Sequence, residues 1–138
     1  MNALKLELNL ENNVIFHGRV SDEGMRHILC QADIGVNPDR PSQMNNISSM
    51  NKIVEYMALG LPIVQFDCIE GKNTALECSH YVESPDSHAL AKTIFETLMD
   101  VRKREKMRTF GLARFKTDLC WEAQTPHLVA AYEHVTED

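Results

Sequence analysis

The sequence lacks the features that mark secreted, membrane-spanning or zinc-binding proteins. It has four cysteines, and none of them forms the C-x-x-C pair that a zinc site or a redox motif uses. No secretory signal is recognisable, and the longest apolar run is far shorter than the roughly 18 residues that a membrane span needs. We therefore expect free thiols in a reducing, cytoplasmic compartment and no membrane-spanning segment.

The sequence also lacks an excess of positive charge. It has 14 lysines and arginines against 20 aspartates and glutamates, which gives a formal net charge of −6. A negative chain repels phosphate backbones, so we expect no nucleic-acid partner. The basic run from Arg102 to Arg108 contains Glu105 and is interpreted as a solvated helix face.

Short apolar runs alternate with helical patterns in the 138 residues, which predicts a single α/β domain with a parallel, doubly wound sheet. Strands are predicted at residues 14–16, 34–36, 62–66 and 81–83. Helices are predicted from residue 21, at about 49–59, from residue 85, at about 102–115 and at 121–135. Gly60 is predicted to end the second helix in a left-handed conformation. Leu90, Ile94, Phe95 and Leu98 are predicted to form the buried face of the third helix.

Ligands of parallel sheets bind beyond the carboxyl ends of the strands. That rule selects three polar or glycine-containing segments as candidate site loops, residues 18–20, 37–49 and 67–74. The second of them is long for a connection, which is typical of a functional loop.

The helix predicted at residues 49–59 carries the most informative pattern. Ser48, Asn51 and Glu55 share one face, and the helix N-terminus offers unpaired N–H groups and positive partial charge to a phosphate. One turn further in, Glu55 is suited to accept hydrogen bonds from the vicinal hydroxyls of a ribose. Spacing alone leaves a second interpretation open, in which Ser48 or Ser49 caps the helix and Glu55 pairs with Lys52.

The order of several segments makes a family resemblance visible. The run from Met50 to Asp67 reads MNKIVEYMALGLPIVQFD, and it follows VIFHGRVSDE and LCQADIGVNP and precedes Trp121 and Tyr132. In this order the segments resemble the C-terminal domain of family 4 (group 1) retaining glycosyltransferases over nearly the whole chain. The resemblance implies a Rossmann-like parallel sheet with flanking helices, as in the donor-binding domain of a two-Rossmann-domain (GT-B) enzyme, with residues 1–138 forming part of that domain.

The resemblance also implies roles for individual residues. Glu55 matches the second glutamate of the family's E-x7-E motif, which holds the donor ribose. Arg19 and the backbone near Val20 match the loop that faces the nucleobase. The helix N-terminus that receives the donor diphosphate matches Ser48, Ser49 and Asn51.

The first departure from the family pattern concerns a carboxylate. The first glutamate of the motif is replaced by Ile47, which cannot contact a donor sugar through a carboxylate. A branch of the family with an N-K-I-x-E-Y-M-A helix has a glutamate after the following strand, and Glu70 matches it. Glu70 either faces the donor sugar or is an exposed loop acid.

The second departure concerns the start of the domain. In the family, a β-α-β unit with a basic residue for the diphosphate precedes the VIFHG strand, and an acceptor-binding domain precedes that unit. Because this sequence has neither, we expect one strand to lose its neighbours and expose an apolar face. The result would be marginal stability, a rearranged sheet or completion by another chain, and the partners considered are the N-terminal acceptor domain, another chain and a second copy of this one. Trp121 and Tyr132 are expected to anchor the terminal helices. A fragment, a split gene product and a degraded remnant all remain open.

The function implied by the resemblance is retaining transfer of a sugar from a nucleoside diphosphate donor to a hydroxyl acceptor, in polysaccharide or cell-envelope glycan synthesis. No cofactor or metal is implied, because a helix dipole and a basic side chain can stabilise the leaving diphosphate. We expect the isolated chain to be inactive and to be cytoplasmic, reaching the inner membrane face only through a partner. The alternatives are a non-catalytic interaction module and a nucleotide-sugar epimerase, and the EYMALGLP helix argues against the epimerase.

Overall fold

A computed structural model describes residues 2–136 of the chain. Its helices are α1 (Asn2–Glu7), α2 (Asp22–Leu29), α3 (Asn51–Ala58), α4 (Ile69–Ala75), α5 (Ser87–Met99), α6 (Val101–Arg114) and α7 (Trp121–Thr136). Its strands are β1 (Gly35–Asn37), β2 (Ile63–Phe66) and β3 (Ser79–Val82). A short 3-10 turn (Leu76–Cys78) precedes β3, and a π-helical turn (Phe115–Leu119) follows α6.

The three strands form one parallel sheet in the order β1-β2-β3. Strand β2 is central: Ile63 pairs with Gly35 of β1 on one side and with Ser79 of β3 on the other. All four residues of β2 are buried, as expected for a central parallel strand covered on both faces. The Rossmann-like α/β prediction is therefore confirmed.

Two apolar clusters cover the two faces of the sheet, because successive side chains of β2 point to opposite sides. On one face, Ile63 packs with Ile53 and Met57 of α3 and with Ala75 and Cys78. On the other face, Val64, Phe66 and Val82 pack against residues of α5. Helices thus flank the sheet on both sides.

Helix α3 lies very close to β1 because Gly35 has no side chain. A Cβ atom added at Gly35 would lie 2.5 Å from the Cδ2 atom of Tyr56 on α3, closer than real contacts allow. Helix α3 stops as predicted just before Gly60, which has a φ of 67°. Gly35 thus sets how closely α3 approaches β1, and Gly60 marks where α3 ends.

The strand predicted at residues 14–16 is wrong. These residues belong to no strand or sheet in the described part of the chain, and Ile15 and Phe16 are 73% and 46% exposed. A strand requires a neighbour for its backbone N–H and C=O groups, and none of the three strands lies beside this segment. A β-branched and aromatic run is therefore not enough to form a strand here.

Two predictions about aromatic residues also fail. Phe95 is 64% exposed, whereas Thr97 of the same helix is fully buried and donates its hydroxyl proton to the carbonyl of Thr93. Because the inner face of α5 passes through Ile94 and Thr97, Phe95 is rotated away from it. Trp121 and Tyr132 are 66% and 68% exposed, so they do not anchor α7 within the described chain.

Candidate functional site

The carboxyl ends of β1 and β2 bring together two of the three predicted site segments, residues 37–49 and 67–74. Asn46 accepts a hydrogen bond through its side-chain oxygen from the backbone N–H of Ile69, at 3.2 Å. The hydroxyl of Ser49 donates to a carboxylate oxygen of Glu70, at 3.1 Å. The thiol of Cys68 donates to the carbonyl of Asp39, at 3.5 Å, and burial is the main cause that raises the pKa of this thiol.

Two buried amides form the floor beneath these segments. The side-chain nitrogen of Asn37 donates to the side-chain oxygen of Gln65 at 3.4 Å, and the nitrogen of Gln65 donates to the carbonyl of Gly71 at 3.3 Å. A Cβ atom at Gly71 would lie 2.7 Å from the side-chain oxygen of Gln65, so a side chain at this position would displace the Gln65 amide. These hydrogen bonds pair the amide groups of Asn37 and Gln65 in the core, where a polar group without a hydrogen-bond partner is costly.

The segment predicted as a loop at residues 67–74 contains helix α4. Glu70 is therefore not a loop acid but lies in the first turn of α4, where its charge is favourable. One of its carboxylate oxygens accepts from Ser49 and, at 3.5 Å, from the hydroxyl of Thr74. Glu70 is thus held beside the start of α3.

The N-terminus of α3 is not capped by a side chain. Its N-cap residue is Met50, and among the described residues neither Ser48 nor Ser49 accepts a hydrogen bond from a backbone N–H of α3, so the alternative in which one of them caps the helix does not occur. Ser48 donates to the carbonyl of Met44 at 2.7 Å, and Ser49 donates to Glu70. The first turn, beginning at exposed Asn51, therefore presents backbone N–H groups that can bind an anion.

Two lysines near the site are already paired with aspartates. Lys52 bonds to Asp39 and not to Glu55, so the alternative ion pair considered from spacing does not form. Lys72 pairs with Asp67 at 2.8 Å, and its ammonium group lies 5.4 Å from the ring centre of Tyr81. Both pairs are partly exposed and contribute little to stability.

Glu55 faces a cleft of about 400 Å³ between α2 and α3. Within residues 2–136 its carboxylate has neither a salt bridge nor a hydrogen bond from another side chain. Burial, and secondly the nearby Glu55 charge, raise the pKa of Tyr56. The cleft is lined by Asp22, Met25, Arg26, Glu55, Ala58 and Leu59.

Arg19 and Val20 lie just before α2, which is capped by the hydroxyl of Ser21 accepting from the N–H of Gly24 at 3.2 Å. Both residues are exposed, and Val20 lies over the first turn of α2 beside Gly24. Ser48, Ser49 and Asn51 therefore lie at the N-terminus of α3, where Ser49 also holds Glu70. Glu55 lies one turn further along α3. Arg19 and Val20 lie at the start of the helix that forms the opposite wall of the Glu55 cleft.

Two contributors to the site were missed from the sequence. Gln65 interrupts an otherwise apolar strand, and this polar residue was a signal of a buried hydrogen-bond pair. Asn46 gave no such signal, because its partner Ile69 lies 23 residues away. Among the described residues, no group of three or more His, Cys, Asp or Glu side chains is arranged to hold a metal ion. None of the described helices is both long enough and apolar enough to cross a membrane.

The family described as glycosyl transferases group 1 matches residues 1–100, more than half of the chain. The chain belongs to the group 1 glycosyltransferases. The match covers every candidate site residue, from Arg19 to Glu70, whereas α6 and α7 lie beyond it. No curated protein and no solved structure gives a significant match to this glycosyltransferase chain.

Proposed function

We propose that this chain binds the nucleoside diphosphate sugar of a retaining family 4 glycosyltransferase, as part of the C-terminal donor-binding domain. The observation that supports this most strongly is the arrangement of α3. Its N-terminus is left without a side-chain cap, and Glu55 faces an open cleft with no partner among the described side chains. A helix end that binds anions and a carboxylate that binds vicinal hydroxyls match the diphosphate and the ribose of a donor.

The spacing along α3 supports the same placement. Asn51 and Glu55 are four residues apart, which corresponds to about 6 Å along a helix axis. Backbone N–H groups near Asn51, together with Ser48 and Ser49, would receive the diphosphate. Glu55 would then accept hydrogen bonds from the ribose hydroxyls one turn further along, and Arg19 and Val20 would border the base.

Glu70 would take over the contact that Ile47 cannot make. Ile47 is 79% exposed and has no polar group, whereas the Glu70 carboxylate is fixed by Ser49 next to the diphosphate position. Like charges repel, so the partner of Glu70 would be a sugar hydroxyl and not a phosphate. In this arrangement Glu70 orients the transferred sugar.

The helix N-terminus would stabilise the charge that develops on the leaving diphosphate, and no metal is required for that step. The acceptor and the remaining catalytic groups would be supplied by an N-terminal domain, by another chain or by a second copy of this one. Residues 1–138 alone would then bind donor but transfer no sugar. A role in polysaccharide or cell-envelope glycan synthesis in the cytoplasm follows from the family resemblance.

Calorimetric titration of the chain with UDP, GDP and their sugar conjugates tests the proposal. We expect saturable binding that Glu55→Gln weakens at least about tenfold, since a hydrogen bond to a charged group is lost for each hydroxyl. The control is Glu77→Gln, which removes an exposed glutamate outside the cleft. Binding to none of these ligands by a folded chain, or equal binding by both variants, would refute a donor site at Glu55.

A further inference from the structure

The cleft beside Glu55 has a charged wall opposite α3. Asp22 and Arg26 are one turn apart on α2, so their side chains share a face, and both line the cleft. Neither side chain forms a salt bridge or a side-chain hydrogen bond within residues 2–136, although a pair at this spacing can bond to each other. Both groups are therefore available to a ligand.

The order of groups along α3 indicates which part of a nucleotide would reach this wall. The N-terminus of α3 would hold the diphosphate, and Glu55 would hold the ribose. Ala58 and Leu59, further toward the C-terminus of α3, form the rest of the cleft on this side. Phosphate, ribose and base follow one another in a nucleotide, so the base would lie between Ala58 and Leu59 and the α2 wall.

We propose that Asp22 and Arg26 select guanine as the base of the donor, an inference that rests on the proposed donor site. A carboxylate can accept two parallel hydrogen bonds, and guanine offers two adjacent donors on one edge, N1–H and the N2 amino group. Uracil offers only N3–H. Guanine also carries two acceptors, O6 and N7, which pair with the two forked N–H groups of an arginine. Met25, between the two charged residues, supplies apolar surface for the ring.

Competition between GDP and inosine diphosphate (IDP) tests this assignment. IDP differs from GDP only in lacking the N2 amino group. We expect GDP to bind about tenfold more tightly than IDP, the value of one hydrogen bond to a charged acceptor. GDP is also expected to bind more tightly than UDP, ADP and CDP.

The variants separate the two side chains. Asp22→Ala should remove the difference between GDP and IDP. Arg26→Met should weaken both ligands equally and leave their ratio unchanged, because both retain O6 and N7. Glu23→Ala is the matched control, since Glu23 is exposed on the same turn but does not line the cleft. Circular dichroism checks that each variant is folded.

The outcomes distinguish this inference from the proposed function. If GDP binds no better than IDP or UDP, guanine selection is wrong and the donor site stands. If the preference for GDP over IDP survives Asp22→Ala, the assignment of that selection to Asp22 is wrong, and the donor site again stands. If no nucleotide binds to the folded chain, the donor site itself is wrong, and the inference falls with it.

Discussion

Ser49 donates a hydrogen bond to Glu70 at 3.1 Å, and this contact joins the residue just before the N-cap of α3 to the first turn of α4. The two residues are 21 positions apart in sequence. The nearby bond from Ile69 to Asn46 links the same two segments. The position of the Glu70 carboxylate is therefore coupled to the start of α3, where the diphosphate is proposed to bind.

The first prediction concerns Glu70. Glu70→Gln should weaken binding of a nucleoside diphosphate sugar about five- to tenfold, since a hydrogen bond from a sugar hydroxyl to a charged acceptor is lost. Binding of the nucleoside diphosphate without its sugar should be unchanged or slightly tighter, because a negative charge near the phosphates is removed. Calorimetry with both ligands measures this, with Glu77→Gln as the control. Equal weakening of both ligands would assign Glu70 to a different role.

The second prediction concerns the packing of α3 on β1. Gly35→Ala should lower the free energy of unfolding by about 1–3 kcal/mol, because the new methyl group overlaps the ring of Tyr56. Adding Tyr56→Ala should relieve part of that overlap, so the double variant should be more stable than the sum of the single effects predicts. Urea unfolding monitored by circular dichroism measures all four proteins. If the two changes in the free energy of unfolding simply add, the contact between position 35 and the Tyr56 ring does not limit how closely α3 packs on β1.

The third prediction concerns His80, on β3. Its ring Nδ1 lies 2.9 Å from the hydroxyl of Thr97, which gives its own proton to Thr93, so Nδ1 is the donor. Burial, and secondly the charge of Lys103, lower the pKa of His80, while Glu96 opposes the shift. The folded state therefore binds the proton less readily than the unfolded state does. The contribution of neutral His80 to the free energy of unfolding is therefore fully present above its pKa in the unfolded state, about 6.5. That contribution is lost as the pH falls through the lower pKa that His80 has in the folded state.

Urea unfolding between pH 7.5 and pH 5 checks this sign. The free energy of unfolding of the native chain should decrease as the pH is lowered from 7.5 to 5. His80→Gln should make that decrease smaller. His127→Gln, which replaces an exposed histidine on α7, is the matched control variant. A slope that is identical in all three proteins would contradict a shifted pKa at His80.

The elements that the sequence predicted well are those specified by local signals. Ser21 caps α2 through its own hydroxyl, and Gly60 followed by Pro62 ends α3 and begins the buried strand. In each case the deciding interaction lies within a few residues. The position of Glu55 on α3 followed from the same helical periodicity.

The elements that were missed depend on distant partners. Residues 14–16 have strand-forming side chains, but a strand exists only if another strand lies beside it. Helix α4 is held by Gln65, which bonds to Gly71, and by Asn46, which bonds to Ile69. Because these bonds form only after the chain has folded, neither the helix nor the place of Glu70 beside α3 was visible in the sequence.

Amide NMR spectra of the isotopically labelled chain, recorded during a titration with GDP, test the central claim most directly. The largest chemical-shift changes are expected at residues 48–55, around the N-terminus of α3 and Glu55, with further changes at residues 19–26. The amides of α7 should not move. Changes confined to α6 and α7, or no change at all in a folded chain, would contradict a donor site on α3.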